Sequence, residues 1–268
     1  MRDASVRKSM MVRTAILSLL VGLGLGVAAG KRRTPPASAG LPAQINALAN
    51  QLRDYPLEDA GPITSQIQKL VVDHMTQWTA NRTPTDVEAR RELENVFSLL
   101  HYPLVGIPAT FAQPWKGQSI IGAGYTLGWT DYDRQNVVAI FTSSAGQSHL
   151  AAVTNFAPRT DLHYTVLPQI AWEDLRFFIY GFRPGKSQQR LTVALYSFNG
   201  QELKTLWENR DIYDGKIDVQ DDQVSVRYLK EDEYVQAVAV NRHPPRHLAT
   251  YQLTATGMAL RDDHEIPF

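Results

Sequence analysis

Cysteine is absent from this chain of 268 residues. Its absence excludes disulfide bonds, thiolate nucleophiles, cysteine-ligated zinc and a lipoprotein acylation site. The sequence also lacks a G-x-S-x-G serine motif and an H-E-x-x-H zinc motif. We therefore assign no catalytic, cofactor-binding or metal-binding residue from motifs, and we expect no cofactor.

An excess of either charge is lacking as well, because 27 basic side chains balance 27 acidic ones. The two signs are unevenly distributed. Residues 1–39 hold seven basic residues and one acid, which leaves 20 basic and 26 acidic residues in the remainder. A mildly acidic body argues against binding of nucleic acid through a basic face, so no nucleic-acid partner is expected.

Residues 14–30, TAILSLLVGLGLGVAAG, form an uncharged apolar run of 17 residues. This length is at the lower limit for a spanning helix, about 17 to 25 residues, and exceeds the about 7 to 15 residues of a secretory h-region. Three basic residues follow the run directly, where a cleaved signal would carry small neutral residues. We expect a transmembrane signal-anchor; the alternative is a signal peptide cleaved after Ala37-Ser38-Ala39.

Glycine spacing within the run carries a second prediction. Gly22, Gly26 and Gly30 form a small-xxx-small pattern that lets two helices approach closely, although glycine is common in membrane helices generally. The pattern allows a homodimer through the membrane helix, and the general abundance of glycine in membrane helices is the alternative explanation. Four basic residues precede the run and three follow it, so the positive-inside bias is nearly balanced. We expect a cytoplasmic N-terminus and an extracytoplasmic main domain, periplasmic or extracellular, as for other single N-terminal anchors.

The sequence divides into a basic segment at residues 1–13, the anchor at 14–30, a proline-containing linker at 31–40, a helical segment at 41–110 and a β-rich domain at 111–268. Apolar residues at helical spacing predict three amphipathic helices in the helical segment. The first ends at Pro56, the second covers residues 62–79, and the third follows residues 83–86 and is closed by Pro103.

From about residue 118 the apolar period changes to two, which indicates strands. Asn199-Gly200 is the strongest hairpin signal. About ten short strands at close spacing predict an antiparallel meander, because parallel pairing would need crossover helices. The predicted class is α+β, with helices packed on an antiparallel sheet; a barrel, a sandwich and a partial propeller-like sheet are alternatives. The predicted strands are 119–129, 137–142, 149–156, 163–167, 175–182, 190–198, 202–207, 224–229, 235–240 and 248–254.

A faint repeat aligns the segment around Tyr196 with the segment around Tyr251, 55 residues later. Consecutive meanders of this kind look somewhat like the blades of a β-propeller. Two similar hairpins in one continuous sheet are the simpler interpretation.

Several segments could carry chemistry. The stretch 122–128, GAGYTLG, is one residue too long for the dinucleotide fingerprint, and glycine in a strand more often marks a bulge or close packing.

The Asp-rich stretch 211–222 could hold calcium, yet it lacks EF-hand order and Asp is typical of turns. Asp131 and Asp133 could offer a carboxylate pair for acid–base work, although the sequence alone does not pair Asp133 with Glu173 or any other acid, and a polar turn also accounts for both residues.

A small basic loop contains Arg242, His243, Arg246 and His247. It could meet an acidic partner or form a solvated hairpin tip. None of the seven histidines has a zinc-binding spacing. Residues 81–83, Asn-Arg-Thr, match a glycosylation sequon.

Together these patterns favour a membrane-anchored extracytoplasmic binding or scaffold protein with a protein or envelope partner. One alternative is an anchored cell-envelope hydrolase that acts on glycan or peptide, and another is a sensor that dimerises through its membrane helix. A binding module predicts an exposed apolar or aromatic patch. A hydrolase predicts a pocket where carboxylates converge.

Overall fold

The computed structural model describes residues 40–54, 60–97, 108–127, 135–144, 146–157, 159–168, 172–183 and 187–267. The predicted anchor, with Gly22, Gly26 and Gly30, lies outside these residues. Within the described ranges, no helix combines the length and the apolar character that crossing a membrane requires. The described helices are α1 (Leu41–Asp54), α2 (Ala60–Thr79), α3 (Asp86–Phe97) and α4 (Glu231–Ala239).

Twelve strands in the described residues form three four-stranded antiparallel sheets. In each sheet, consecutive strands of the chain are hydrogen-bonded neighbours, and no closed barrel is formed by these strands. Sheet A consists of β1 (Ala109–Trp115), β2 (Gln118–Leu127), β3 (Gln135–Ser144) and β4 (Gln147–Phe156). Sheet B consists of β5 (Thr160–Val166), β6 (Leu175–Arg183), β7 (Arg190–Phe198) and β8 (Leu203–Tyr213). Sheet C consists of β9 (Lys216–Gln220), β10 (Gln223–Tyr228), β11 (Arg246–Thr254) and β12 (Gly257–Ile266).

Helices α2 and α3 pack on one face of sheet A, and α1 packs on α2 and α3. The predicted stripe of α1 and the apolar faces of α2 and α3 are buried in one core that they share with this sheet. Successive side chains of a strand point to opposite faces, so alternate residues of β2 and β3 face the helices while the residues between them face sheet B. The core between the helices and sheet A includes Ile45, Ile67 and Leu93 of the helices and Ile121, Tyr125, Val137 and Phe141 of the strands.

Sheet B is buried on both faces because it lies between the other two sheets. Phe177, Ile179 and Tyr196 pack against sheet A. The alternate residues Phe178 and Leu195 pack against sheet C. Burial on both sides explains the nearly continuous apolar runs in β6 and β7.

The outer face of sheet C is polar. Asp218, Ser225 and Thr250 lie side by side on this face, in register across β9, β10 and β11. Their neighbours Ile217 and Val224 point inward to sheet B. The face of sheet C opposite to sheet B is therefore polar enough to be exposed to solvent, and no further layer of the described structure packs on it.

A capping box starts α3. The backbone N–H and the hydroxyl of Thr85 donate to the Glu88 carboxylate at 2.7 and 2.8 Å, and the Glu88 N–H donates to the Thr85 hydroxyl at 3.3 Å. These bonds hold the pKa of Glu88 below its usual value. The three predicted helices of the helical segment are thus confirmed as α1, α2 and α3.

Two expectations for the β-rich part are wrong. The segment 235–240 is not a strand; most of it lies in helix α4. The strands also do not form one continuous sheet. Tyr196 and Tyr251 lie in β7 and β11, the third strands of sheets B and C, so the repeat relates equivalent strands of neighbouring sheets. Strands β1, β9 and β12 were not predicted.

Candidate functional site

A cleft of about 540 Å³ opens where α3, β1 and β5 meet. We call it the β5 cleft. A volume of this size suits a small ligand or a peptide side chain, for which pockets of about 300 to 1,000 Å³ are usual. The residues that matter for its chemistry are Asp86, Arg90, Asp161, His163, Phe182 and Gln189.

Asp161 lies on a β-bulge in β5. The pairing of β5 with β6 shifts register between Thr160 and His163, and Asp161 adopts a left-handed backbone with φ of 51°. Bulges re-aim side chains and are frequent beside active sites. The exposed carboxylate of Asp161 forms no hydrogen bond or ion pair within the described part of the chain.

Asp211 provides a comparison, because it has the same backbone conformation at a bulge in β8, with φ of 58°. Its carboxylate accepts a hydrogen bond from buried Arg159 at 2.9 Å and lies 3.1 Å from a guanidinium nitrogen of Arg183. Burial lowers the pKa of Arg159, while Asp211 acts in the opposite direction. The conformation of Asp211 therefore serves a structural ion pair, whereas Asp161 has no such partner in the ranges that the structure describes.

The opposite side of the cleft is formed by the first turn of α3 and the start of β1. The Thr110 hydroxyl donates to Asp86 Oδ1 at 2.5 Å, and an Arg90 guanidinium nitrogen lies 3.7 Å from the same oxygen. A carboxylate is also favoured in the first turn of a helix by the macrodipole. Asp86 is thus held in place, and Arg90 adds a cation to the cleft.

The imidazole of His163 is positioned by aromatic rings. It stacks on Tyr180 with ring centroids 5.1 Å apart, and it meets the edge of Phe182 at 6.5 Å. Its neighbour Tyr164 points into the interior, where burial raises the pKa of the phenol. The cleft therefore combines carboxylates, a guanidinium and an imidazole beside an aromatic wall. Such a set can bind a ligand that offers both hydrogen-bond donors and acceptors.

The glycine-rich stretch is a packing feature. Gly122 lies opposite Phe111 in the β1–β2 pair, and the Phe111 ring covers it. The ring of Tyr164 covers Gly124 in the same way. These contacts confirm the close-packing interpretation, whereas Gly128 lies outside the described residues. Asp131 and Asp133 also lie outside them, and Glu173 is exposed, away from the β5 cleft.

The Asp-rich stretch is not a single cluster of ligands. Asp214 accepts from Arg246 at 2.6 Å, Asp218 from Gln220 at 2.9 Å and Asp222 from Gln252 at 2.5 Å. Across the described ranges, no three His, Asp or Glu side chains are close enough together to hold a metal ion. The carboxylates of this stretch therefore serve turns and sheet contacts.

The basic loop is partly neutralised by internal partners. Arg246 binds Asp214, and His247 contacts Glu233 at 2.7 Å. Arg242 is exposed at the tip. The four basic residues therefore do not act as one cationic surface.

The sequon residues Asn81, Arg82 and Thr83 are exposed at the α2–α3 turn. They line a second groove of about 540 Å³, together with Ser143 and Ser144. Arg82 lies over the Trp78 ring at 4.8 Å. This groove has hydroxyl groups but lacks the combination of charges found in the β5 cleft.

Sequence reasoning missed the residues of the β5 cleft. The predicted strand 163–167 begins at His163, and Asp161 lies two residues before it, outside every predicted element. The signal that could have drawn attention is the adjacent polar pair Thr160-Asp161, which interrupts the alternation of apolar and polar residues in β5. Comparison with known protein families, with curated proteins and with solved structures gives no match for this chain.

Proposed function

We propose that this chain is a membrane-anchored extracytoplasmic binding or scaffold protein that engages a protein or cell-envelope partner through the β5 cleft. The observation that carries the proposal is the left-handed Asp161 at this cleft, whose carboxylate has no partner among the described residues. The apolar run at residues 14–30 supports the anchor.

Backbone strain supports a binding role for Asp161. A residue in a sparsely populated conformation costs on the order of 1 to 3 kcal/mol and persists where the surroundings or a function require it. At Asp211 the contacts to Arg159 and Arg183 offset this cost. At Asp161 a hydrogen-bond donor from a partner would do the same.

The other polar groups suggest the chemistry of the partner. Asp161 can accept from an amide, hydroxyl or ammonium group, while Arg90 can donate to a carbonyl or carboxylate. The neighbouring aromatic rings offer apolar contact. Peptides and glycans carry these groups together, which fits an envelope partner.

A hydrolase is the second candidate, because Asp86, Asp161 and His163 line the same cleft. Asp86 is already engaged by Thr110 and Arg90, so Asp161 would have to act with His163. Hydrolysis of glycan or peptide substrates by the wild-type protein, lost in Asp161→Asn, would favour this candidate over simple binding.

The anchor is tested by protease protection of the full chain with a C-terminal tag in intact cells or spheroplasts. We expect a full-length, membrane-bound species whose body is digested from outside. A protected body, or a soluble species shortened by about 39 residues as a cleaved signal would give, would overturn the anchored arrangement.

The cleft is tested by site-specific photo-crosslinking in intact cells. A photoreactive residue at Gln189, which is exposed in the cleft, should capture a partner that the same residue at exposed Gln220 on sheet C does not. Asp161→Asn should reduce the adduct at position 189. Asp221→Asn is the matched control, because Asp221 is an exposed residue with φ of 52° outside the cleft. Equal adducts at both positions would refute a binding role for the cleft.

A further inference from the structure

Helix α4 exposes apolar side chains that a solvated helix would not carry. Val235 and Val238 are 59% and 53% exposed with exposed Ala239 beside them, and Val240, 62% exposed, is the C-cap that follows the helix. No residue of α4 is buried. An outer helix face normally carries charged and polar residues, so contiguous valines on it indicate a contact surface.

Three residues of α4 attach the helix to the body, and one of them, Glu231, lies one turn before Val235 on the same side of the helix. Glu231 forms two hydrogen bonds with the Arg190 guanidinium, at 2.6 and 2.9 Å. Glu233 contacts His247, and Tyr234 packs on Tyr213 with ring centroids 5.2 Å apart. Val235 and Val238 are more than half exposed and belong to none of the apolar clusters in the described part of the chain, so they are available to another molecule.

Unpaired charges of opposite sign lie at the two ends of the valine face. Asp232, in the first turn, and Arg242, just beyond the last turn, are both exposed. Neither side chain forms an ion pair or hydrogen bond among the described residues. The position of Arg242 is set by its backbone N–H, which donates to the Ala237 carbonyl at 2.8 Å.

We propose that this surface binds α4 of a second copy of the chain, antiparallel and about a two-fold axis. With the crossing near Ala237, Asp232 of each copy faces Arg242 of the other, and Val235 faces Ala239. A parallel pair would instead place like charges together. The surface is thus self-complementary in charge, as a two-fold interface requires.

The contact is small. One face of a helix of nine residues offers much less than the about 800 Å² per partner of a typical stable interface. It therefore rests on the proposed anchor, which holds two chains in one membrane and raises their effective concentration. The β5 cleft plays no part in it.

The absence of cysteine allows a direct test with disulfides in the full-length, membrane-bound chain. Two differently tagged forms are co-expressed, one with Asp232→Cys and the other with Arg242→Cys, and the membranes are oxidised. We expect the mixed disulfide to exceed either self-disulfide by about fivefold, the ratio that about 1 kcal/mol produces. The matched control pair is Asp218→Cys with Arg227→Cys on the polar face of sheet C, which should give no such excess.

A charge swap provides the second test. With Val238→Cys as the cross-linking site, Asp232→Arg should weaken the disulfide dimer, and adding Arg242→Asp should restore it. Equal mixed and self-disulfides, or no rescue by the swap, would overturn the proposal while leaving the anchor intact. Capture of a different protein or of lipid by Val238→Cys would also overturn it. Recovery of the chain in the soluble fraction would overturn the anchor and this contact together.

Discussion

Replacement of Gly122 by alanine should be strongly destabilising, although it adds only one methyl group. A Cβ at this position would lie 2.6 Å from Cζ of Phe111 and closer still to two other ring atoms, where ordinary contact begins at 3.4 Å. The backbone of Gly122 is not left-handed, so the cost arises from this overlap alone.

The Phe111 ring has little freedom to move away. It is 6% exposed, and its centroid is 5.1 Å from those of both Tyr164 and Phe177. Overpacking of a well-filled core costs about 1 to 3 kcal/mol, and we expect about 3 kcal/mol because the displaced ring is confined on both sides. For a protein of this size that loss lowers Tm by about 6 to 12 °C.

Thermal unfolding of the full chain, followed by circular dichroism, measures this effect. Gly61→Ala is the matched control, because a Cβ there has no atom within 4 Å and the residue lies in α2. The control should be neutral or more stable by up to about 1 kcal/mol. Phe111→Leu should relieve part of the cost of Gly122→Ala, so that the two changes are not additive. If Gly122→Ala unfolds at the same temperature as Gly61→Ala, the packing argument is wrong.

Two further substitutions test buried polar groups; one is expected to lower the free energy of unfolding and the other to raise it. Asn136 is fully buried; its amide donates to the Arg159 carbonyl at 2.6 Å and accepts from the Arg159 N–H at 2.9 Å. Asn136→Ala should therefore cost about 3 kcal/mol in urea unfolding, and a loss no greater than that of exposed Asn155→Ala would contradict this role. The buried Tyr125 hydroxyl has no hydrogen-bond partner within the described residues, and burial raises the pKa of Tyr125 above its ordinary value of 10.0. Because the folded state favours the neutral phenol, ionisation of Tyr125 does not affect the free energy of unfolding below pH 10 and lowers it progressively as the pH rises above 10. Tyr125→Phe should stabilise the protein by about 1 kcal/mol at neutral pH and reduce the loss above pH 10. Tyr228→Phe, which removes a hydroxyl that donates to Asp263, should not stabilise it.

The helices of residues 41–97 could be predicted because their signals are local. The stripe of Ile45, Leu48 and Leu52 repeats every three to four residues, and all three are buried. Pro62 and the pair Thr85 and Glu88 mark helix starts without reference to any distant residue.

Helix α4 could not be predicted in this way. Its valines favour a strand by intrinsic preference. The helix is stabilised instead by acidic residues in its first turn and by contacts of Glu231 with Arg190 and of Glu233 with His247. These partners are distant in sequence, so the periodicity of the segment does not reveal them.

The division into three sheets and the β5 cleft also depend on distant contacts. Alternating apolar residues show that a strand has a buried face, but not which sheet covers it. Asp86 and Asp161 come from α3 and β5, and only the packing of sheet A on sheet B places them at one cleft. Strand β12 was missed because its exposed residues 260–265 leave no apolar alternation to detect.

The order of the layers in space is the order of their synthesis. Helices α1 to α3, sheet A, sheet B and sheet C each pack on the layer that precedes them in the chain. During synthesis, each layer can therefore pack on a layer that has already folded. No strand has to remain exposed and unpaired until a distant segment of the chain is made. Sheet C is synthesised last, and it covers Phe178, Leu191 and Leu195 of sheet B. A chain that stops after β8 would present these residues to water, so an interrupted product is expected to aggregate or to be degraded, whereas the finished one ends in a polar face.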